Sequence, residues 1–283
     1  MRTFVSAAAV ILSLLLTAVA VPTAWVDSNI VREDGFVRLT AALGKDQAFQ
    51  HSLATAAVGS LESSIELPAA AEQLAAGILE DAAASMQSWP EFPGAWDDTI
   101  RKSHQLNFTD PSSVTEETPA PTSLILDVGP LVGLMAARLT AAIGLPLDVA
   151  DAALINIGAP SQRQLVERAA AFAPLWWVPA LGALVSLCLA FVAARRRSRL
   201  AVFAGFGFAV VAAVWTVSAG IATAVVGGMS SGNPVAEVFK REFMAACQAG
   251  FGQWVVLALA GAAGIAALGA VAWAVSFGRR RAV

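Results

Sequence analysis

Charge is scarce in this chain. Of its 283 residues only 14% are Asp, Glu, Lys or Arg, while 57% are hydrophobic. An ordinary soluble domain carries about a quarter charged residues and just under half apolar ones. The deficit excludes a freely soluble globular protein, and the apolar excess excludes a disordered or collagen-like chain. Cysteine is nearly missing, and two residues cannot build a disulfide scaffold or a Cys-rich metal module. Histidine is equally rare, with two residues, and no HxxxH, HExxH or CxxC spacing offers a zinc set. No P-loop, dinucleotide fingerprint or Asp-x-Asp-x-Asp-Gly calcium loop occurs.

What the chain does hold is apolar sequence in four blocks: residues 4–26, 172–194, 200–227 and 251–278, none containing Asp, Glu, Lys or Arg. A bilayer core of ~30 Å needs about 20 such residues at ~1.5 Å rise, and only structures that satisfy their own backbone groups survive there. The expectation is a mainly α, four-helix integral membrane protein. For residues 1–26 a cleaved signal peptide is the alternative, because the small triplet Ala18-Val19-Ala20 has the form of a cleavage site. The apolar run continues to Trp25, however, and a retained helix is the preferred reading.

Arginine sets the orientation. Arg195, Arg196, Arg197 and Arg199 fill the link 195–199, Arg279, Arg280 and Arg281 lie in the tail 279–283, and Arg2 opens the chain. The positive-inside rule puts all three in the cytoplasm. That leaves residues 27–171 and the loop 228–250 outside, as an extracytoplasmic domain of a plasma-membrane protein. Trp25, Trp176, Trp177 and Trp254 are expected as anchors at the outer interface and Trp273 at the inner one, whereas Trp215 falls mid-block and suits packing. The net charge of −3 averages two faces: eight inward Arg with no acid, against the other ten basic residues and all 21 acids outside. A basic inner rim suits anionic lipids, and an acidic outer face argues against nucleic acid.

The outer domain is mostly helical by pattern. Phe49, Leu53, Ala57, Leu61 and Ile65 mark one helix face, and Leu74, Ile78, Ala82 and Met86 continue it beyond Pro68. An aromatic corner follows, from Trp89 through Pro90, Phe92 and Pro93 to Trp96, then a short helix through Ile100 to His104. Residues 109–123 read as an exposed loop. Short β-like runs at 124–128 and 153–157 flank a helix carrying Leu131, Leu134, Met135, Leu139 and Ile143 and stopping at Gly144, a small strand–helix–strand unit. From Ser161 as N-cap, a helix is expected to run directly into the second block. Val235, Val238, Phe239, Phe243 and Met244 form an amphipathic segment in the second outer loop, read as docking on the large domain rather than lying on lipid.

Trp96 with His104 eight residues on, the run Leu126-Asp127-Val128-Gly129-Pro130, and the helix leading into the second block together resemble a family of actinobacterial integral membrane proteins without an assigned activity. The likeness spans nearly the whole chain. It implies one N-terminal helix, an outer helical domain, three further membrane helices and an envelope of actinobacterial type, and it implies no catalytic residues.

The chemistry is thin. His104 is expected to pack beside Trp96 and bond a backbone group, and His51 to lie on the surface. Trp96, Asp97 and His104 are the weak functional candidates. The acidic pairs Glu80-Asp81, Asp97-Asp98 and Glu116-Glu117 read as solvated surface rather than a cation site. Cys188 and Cys247 read as inert thiols. The blocks carry hydroxyls but no ionisable side chain, which argues against an ion-coupled pump. Ala260, Gly261 and Gly264 are the candidate close-packing positions of the fourth block, with Ala262, Ala266 and Ala270 as a second row. No catalytic group, metal or cofactor is expected. The reading is a non-enzymatic envelope protein that binds, senses or scaffolds through its outer domain, with a membrane or envelope protein as candidate partner. The alternative is an accessory subunit of a transport or lipid-handling complex.

Overall fold

A computed structural model describes residues 2–62, 85, 89–108, 123–143, 153–158, 160–230 and 232–281. In chain order come α1 (Arg2–Val26), a π-helical turn (Asp27–Val31), α2 (Glu33–Thr40), a 3-10 turn (Leu43–Lys45), α3 (Gln47–Glu62) and α4 (Phe92–Phe108). Then follow β1 (Ile125–Asp127), α5 (Gly129–Ile143), β2 (Leu154–Asn156), α6 (Pro160–Phe172), a 3-10 turn (Ala173–Leu175), α7 (Trp177–Ala193), α8 (Arg197–Gly227) and α9 (Pro234–Arg281). The protein is mainly helical. Two compact units divide it: one of Met1–Asp27, Ala171–Ala224 and Gln248–Val283, the other of Ser28–Ala170 and Val225–Cys247.

Among the described residues, three helices with long stretches in the first unit are long and apolar enough to cross a membrane, and four if α6 and α7 count as one broken span. Its surface is unlike that of a soluble protein: Phe4 is 78% exposed and Leu268 74%, a coverage that suits hydrocarbon rather than water. Helices α1 and α7 run antiparallel. Ser6 and Ser13, seven apart on one buried face of α1, donate their hydroxyls to the carbonyls of Ala190 at 3.0 Å and Ala183 at 2.9 Å. An advance of seven along one helix matches a retreat of seven along the other.

Pro22 lies inside α1. It has no N–H, so the carbonyl of Ala18, four residues back, loses its helical donor. The indole Nε1–H of Trp215 on α8 donates to that carbonyl at 3.0 Å. The mid-block tryptophan is therefore buried in packing, and it repairs the one backbone bond the proline removes. Small residues bring α8 and α9 together: a Cβ on Gly205 would meet Ala266 at 2.8 Å, and one on Gly269 would meet Ala201 at 2.7 Å.

The second unit has its own core, built from Phe49, Leu53, Phe92, Trp96, Ile100, Leu126, Val235 and Phe239 among others. Asp46 caps α3, its Oδ1 accepting the N–H groups of Ala48 and Phe49 at 2.8 and 3.1 Å. Phe49 and Leu53 are buried as the four-residue spacing requires. The expected continuation of that face through Leu74, Ile78, Ala82 and Met86 lies outside the described residues, as do the side chains of Ala57 and Leu61, residue 65, the pairs Glu80-Asp81 and Glu116-Glu117, nearly all of the loop 109–123, and Gly144.

Strands β1 and β2 pair antiparallel, Leu126 opposite Ile155, with α5 between them in sequence. The small strand–helix–strand unit is present. Two further bonds, Val128 N–H to Ala153 O and Ile157 N–H to Leu124 O, extend the pairing past each end.

Three expectations need correction. The aromatic corner is a turn only at its start, where Phe92 N–H closes on Trp89 O; from Phe92 it is already the 17-residue α4, where Pro93 is tolerated because its missing N–H would be unpaired anyway. The helix from Ser161 starts at Pro160 and does not run unbroken into the second block. It stops at Phe172, and a 3-10 turn carrying Pro174 intervenes before α7. Finally, 228–250 is not a separate outer loop. At Pro234 the chain enters α9, a single helix of 48 residues.

Candidate functional site

Helix α4 organises the second unit. Its buried face presents Phe92, Trp96, Thr99, Ile100, Ser103 and His104. Two ring nitrogens on this face reach back to the segment that follows α1. Trp96 Nε1–H donates to the carbonyl of Thr40 at 3.0 Å, and His104 Nε2–H to that of Ile30 at 3.0 Å. A carbonyl only accepts, so the bond fixes the proton on Nε2. Burial lowers the His104 pKa, partly offset by the Ile30 bond and the nearby Glu33 charge.

His104 does not pack beside Trp96 as expected. Eight residues of helix separate them by about 12 Å, and His104 instead stacks on Phe108 at 4.3 Å and tilts against Phe36 at 5.2 Å. The two are joined through a ring series. Trp96 meets Phe239, Phe239 stacks on Phe243, and Phe243 meets Phe36. Gly44 makes room for Trp96, since a Cβ there would stand 2.5 Å from the indole Cδ1.

Residues missed by sequence pattern complete the cluster. Glu33 pairs with Arg101 at 2.5 Å and accepts from Gln105 at 3.1 Å, and these two hold its carboxyl below the ordinary range, Gln105 most strongly. Asn107 treats β1 as a strand would: its amide donates to Ile125 O at 2.6 Å and its oxygen accepts Ile125 N–H at 3.0 Å. Ser103 Oγ accepts the Asp127 N–H at 2.8 Å. Asp127 is buried and takes N–H groups from Gly129 at 2.9 Å and Ala153 at 3.3 Å, so it caps α5 and ties β2 to β1. The run from Leu126 to Pro130 thus has a structural account. Asp97 is half-exposed and bonds neither His104 nor Trp96. His51 is exposed. Among the described residues no group of three His, Cys, Asp or Glu could hold a metal ion.

One motif escapes the pattern reading. Gly228-Met229-Ser230-Ser231-Gly232 satisfies Gly-x-Ser-x-Gly by letters. It joins two helices rather than a strand and a helix, and Ser230 Oγ accepts the Gly232 N–H at 3.3 Å, so the context of a nucleophile elbow is missing.

The membrane-side residues sort differently. Trp25 is the most buried of the expected interface tryptophans. It is buried, edge-on to Phe251 at 5.6 Å. Trp176 and Trp254 are half-buried, and Trp177 and Trp273 are exposed. Arg195, Arg196, Arg197 and Arg199 are all exposed, with the Arg199 guanidinium 5.9 Å from the Trp273 ring centroid. The side chains of Arg279, Arg280 and Arg281 lie outside the described residues. Ala260, Gly261 and Gly264 are exposed, and a Cβ on either glycine would meet nothing within 4 Å. The contact with α8 uses the second row instead, at Ala262, Ala266 and Gly269. Cys188 is exposed and Cys247 half-buried, both as free thiols.

Compared with known proteins, the chain matches no family model, no curated protein and no solved structure.

Proposed function

We propose that this is a multi-pass plasma-membrane protein whose helical unit stands outside the cytoplasm and acts without catalysis, as a binding, sensing or scaffold component of the cell envelope. The observation that carries the reading is where the polar side chains in and around α4 go, the buried Thr99 hydroxyl being an exception without a partner. Trp96, His104, Ser103, Asn107 and Asp127 all bond the unit's own backbone, which suits a shaped surface more than a reacting centre. The segregation of charge supports the orientation, and the resemblance to actinobacterial membrane proteins belongs to the same proposal.

Two measurements test it. With Cys188 and Cys247 replaced by Ala, a Cys introduced at Asp98 should react with an impermeant thiol reagent in whole cells. One introduced at Ser198 should react only after permeabilisation, and equal reactivity of the two would overturn the orientation. Cross-linking in native membranes should then recover an envelope protein bound through the outer unit. A stoichiometric permease or ATPase would favour the accessory-subunit reading, for which the open face at Ala260, Gly261 and Gly264 supplies a close-approach surface. If the wild type rescues a deletion phenotype and the double variant His104→Gln, Asp97→Asn does not, with folding intact, the non-enzymatic reading fails.

A further inference from the structure

We infer that the start of α8, together with Trp273 of α9, forms a seat for one anionic phospholipid, with Arg199 taking the headgroup phosphate. The inference rests on the membrane reading above. Within the first unit the sequence places eight arginines and a single carboxyl, Asp27. Arg195, Arg196, Arg197 and Arg199 make no ion pair among the described residues. Arg199 differs from the other three in being positioned. Its guanidinium rests by the Trp273 ring at 5.9 Å, an attraction that holds the cation in place. A guanidinium held beside a ring, with no ion pair of its own, keeps N–H groups for a pair of phosphate oxygens.

The surface next to it selects an amphiphile over a free phosphate. Phe203 and Phe206, four and seven residues after Arg199, share its helix face and are 71% and 69% exposed. Val210 carries the ridge one turn further, also exposed. A fixed cation above an apolar ridge has the shape of a headgroup site with its acyl chain below. A diffuse basic rim, by contrast, would let all four arginines count alike.

Native mass spectrometry of the full-length protein, with phosphatidylglycerol or phosphatidylcholine added back to the detergent-solubilised sample, separates these. Phosphatidylglycerol should be retained in preference, and excess inorganic phosphate should not displace it. Arg199→Gln should lower its occupancy about fivefold, the factor one arginine is worth at an anionic surface. Trp273→Leu should act in the same direction, and Arg195→Gln should change occupancy less than about twofold. Should Arg199→Gln fail to assemble, Arg199→Lys keeps the charge but loses the planar fork, and an intermediate loss supports the seat. Equal retention of the two lipids, equal losses at Arg195 and Arg199, or displacement by inorganic phosphate would each overturn it. Failure of the membrane reading itself would show separately, as release of the protein from native membranes by a carbonate wash.

Discussion

Pro22 and Trp215 illustrate how a single residue can create a need that another, 197 positions from the affected carbonyl, fills. In hydrocarbon an unpaired carbonyl has no water to turn to. Trp215→Phe should therefore destabilise the full-length protein by about 1–3 kcal/mol, the cost of an orphaned buried acceptor. Pro22→Ala restores an N–H to the helix, so in that background Trp215→Phe should cost measurably less. A double-mutant cycle on thermal unfolding in detergent reads the difference, and additivity of the two changes would refute the pairing. His104 supplies a second residue-scale outcome. Its folded pKa lies below the unfolded value of 6.5, so the folded state binds fewer protons near that pH. Its stability contribution is complete above the unfolded value and is lost as pH falls through it toward the folded pKa. The melting temperature should fall between about pH 7.5 and about pH 5.5, and less so in His104→Gln. Glu33, whose folded pKa is also lowered, from 4.5, stabilises above that value, and its loss belongs to a lower window.

At the scale of elements, the helices that cross the first unit were legible because absence of charge is a property of composition and needs no partner. Which face of each helix packs was not. The fourth block carries small residues on two rows, and the local sequence does not say which meets α8; Gly205 and Ala201 decide it from the other helix. Gly205→Leu should accordingly disrupt assembly, lowering the melting temperature in detergent, whereas Gly261→Leu should leave it nearly unchanged. Similar losses at both positions would mean that α9 packs by another face. In the second unit, α4 was under-read because two prolines and a glycine looked like punctuation, although Pro93 falls where a first turn accepts it. The start of α9 was under-read too, and there a signal exists. Asn233 precedes Pro234, and its Oδ1 accepts the N–H groups of Val235 and Ala236 at 2.9 and 3.2 Å, a cap followed by proline at the first helical position. The long-range bonds of Trp96, His104 and Asn107 had no signature, because their acceptors are backbone carbonyls that any residue carries.

For the molecule as a whole, the main correction concerns the bounds of the second unit. A boundary drawn at 27–171 leaves out Val235 and Phe239, which are buried in that domain's core. Burying one such side chain is worth about 1.5–3 kcal/mol, and a domain's net stability is only about 5–15 kcal/mol. Residues 28–170 produced alone should therefore be poorly folded, with weak near-UV circular dichroism and rapid proteolysis. Joining residues 225–247 through a flexible linker should restore both signals. A fully cooperative melt of the shorter fragment would show that α9 contributes little to this core.

Helix α9 also imposes a timetable. Its first turns complete the core of a domain whose other residues leave the ribosome much earlier, and residue 234 follows residue 170 by several seconds at about 5–20 residues per second. Through that interval Trp96, Phe49 and Leu126 lack Phe239 and its neighbours, so the growing chain carries an unfinished apolar cleft. Biogenesis of this protein thus has a vulnerable period that ends only with the start of α9, and any chain that stops before Pro234 remains in it.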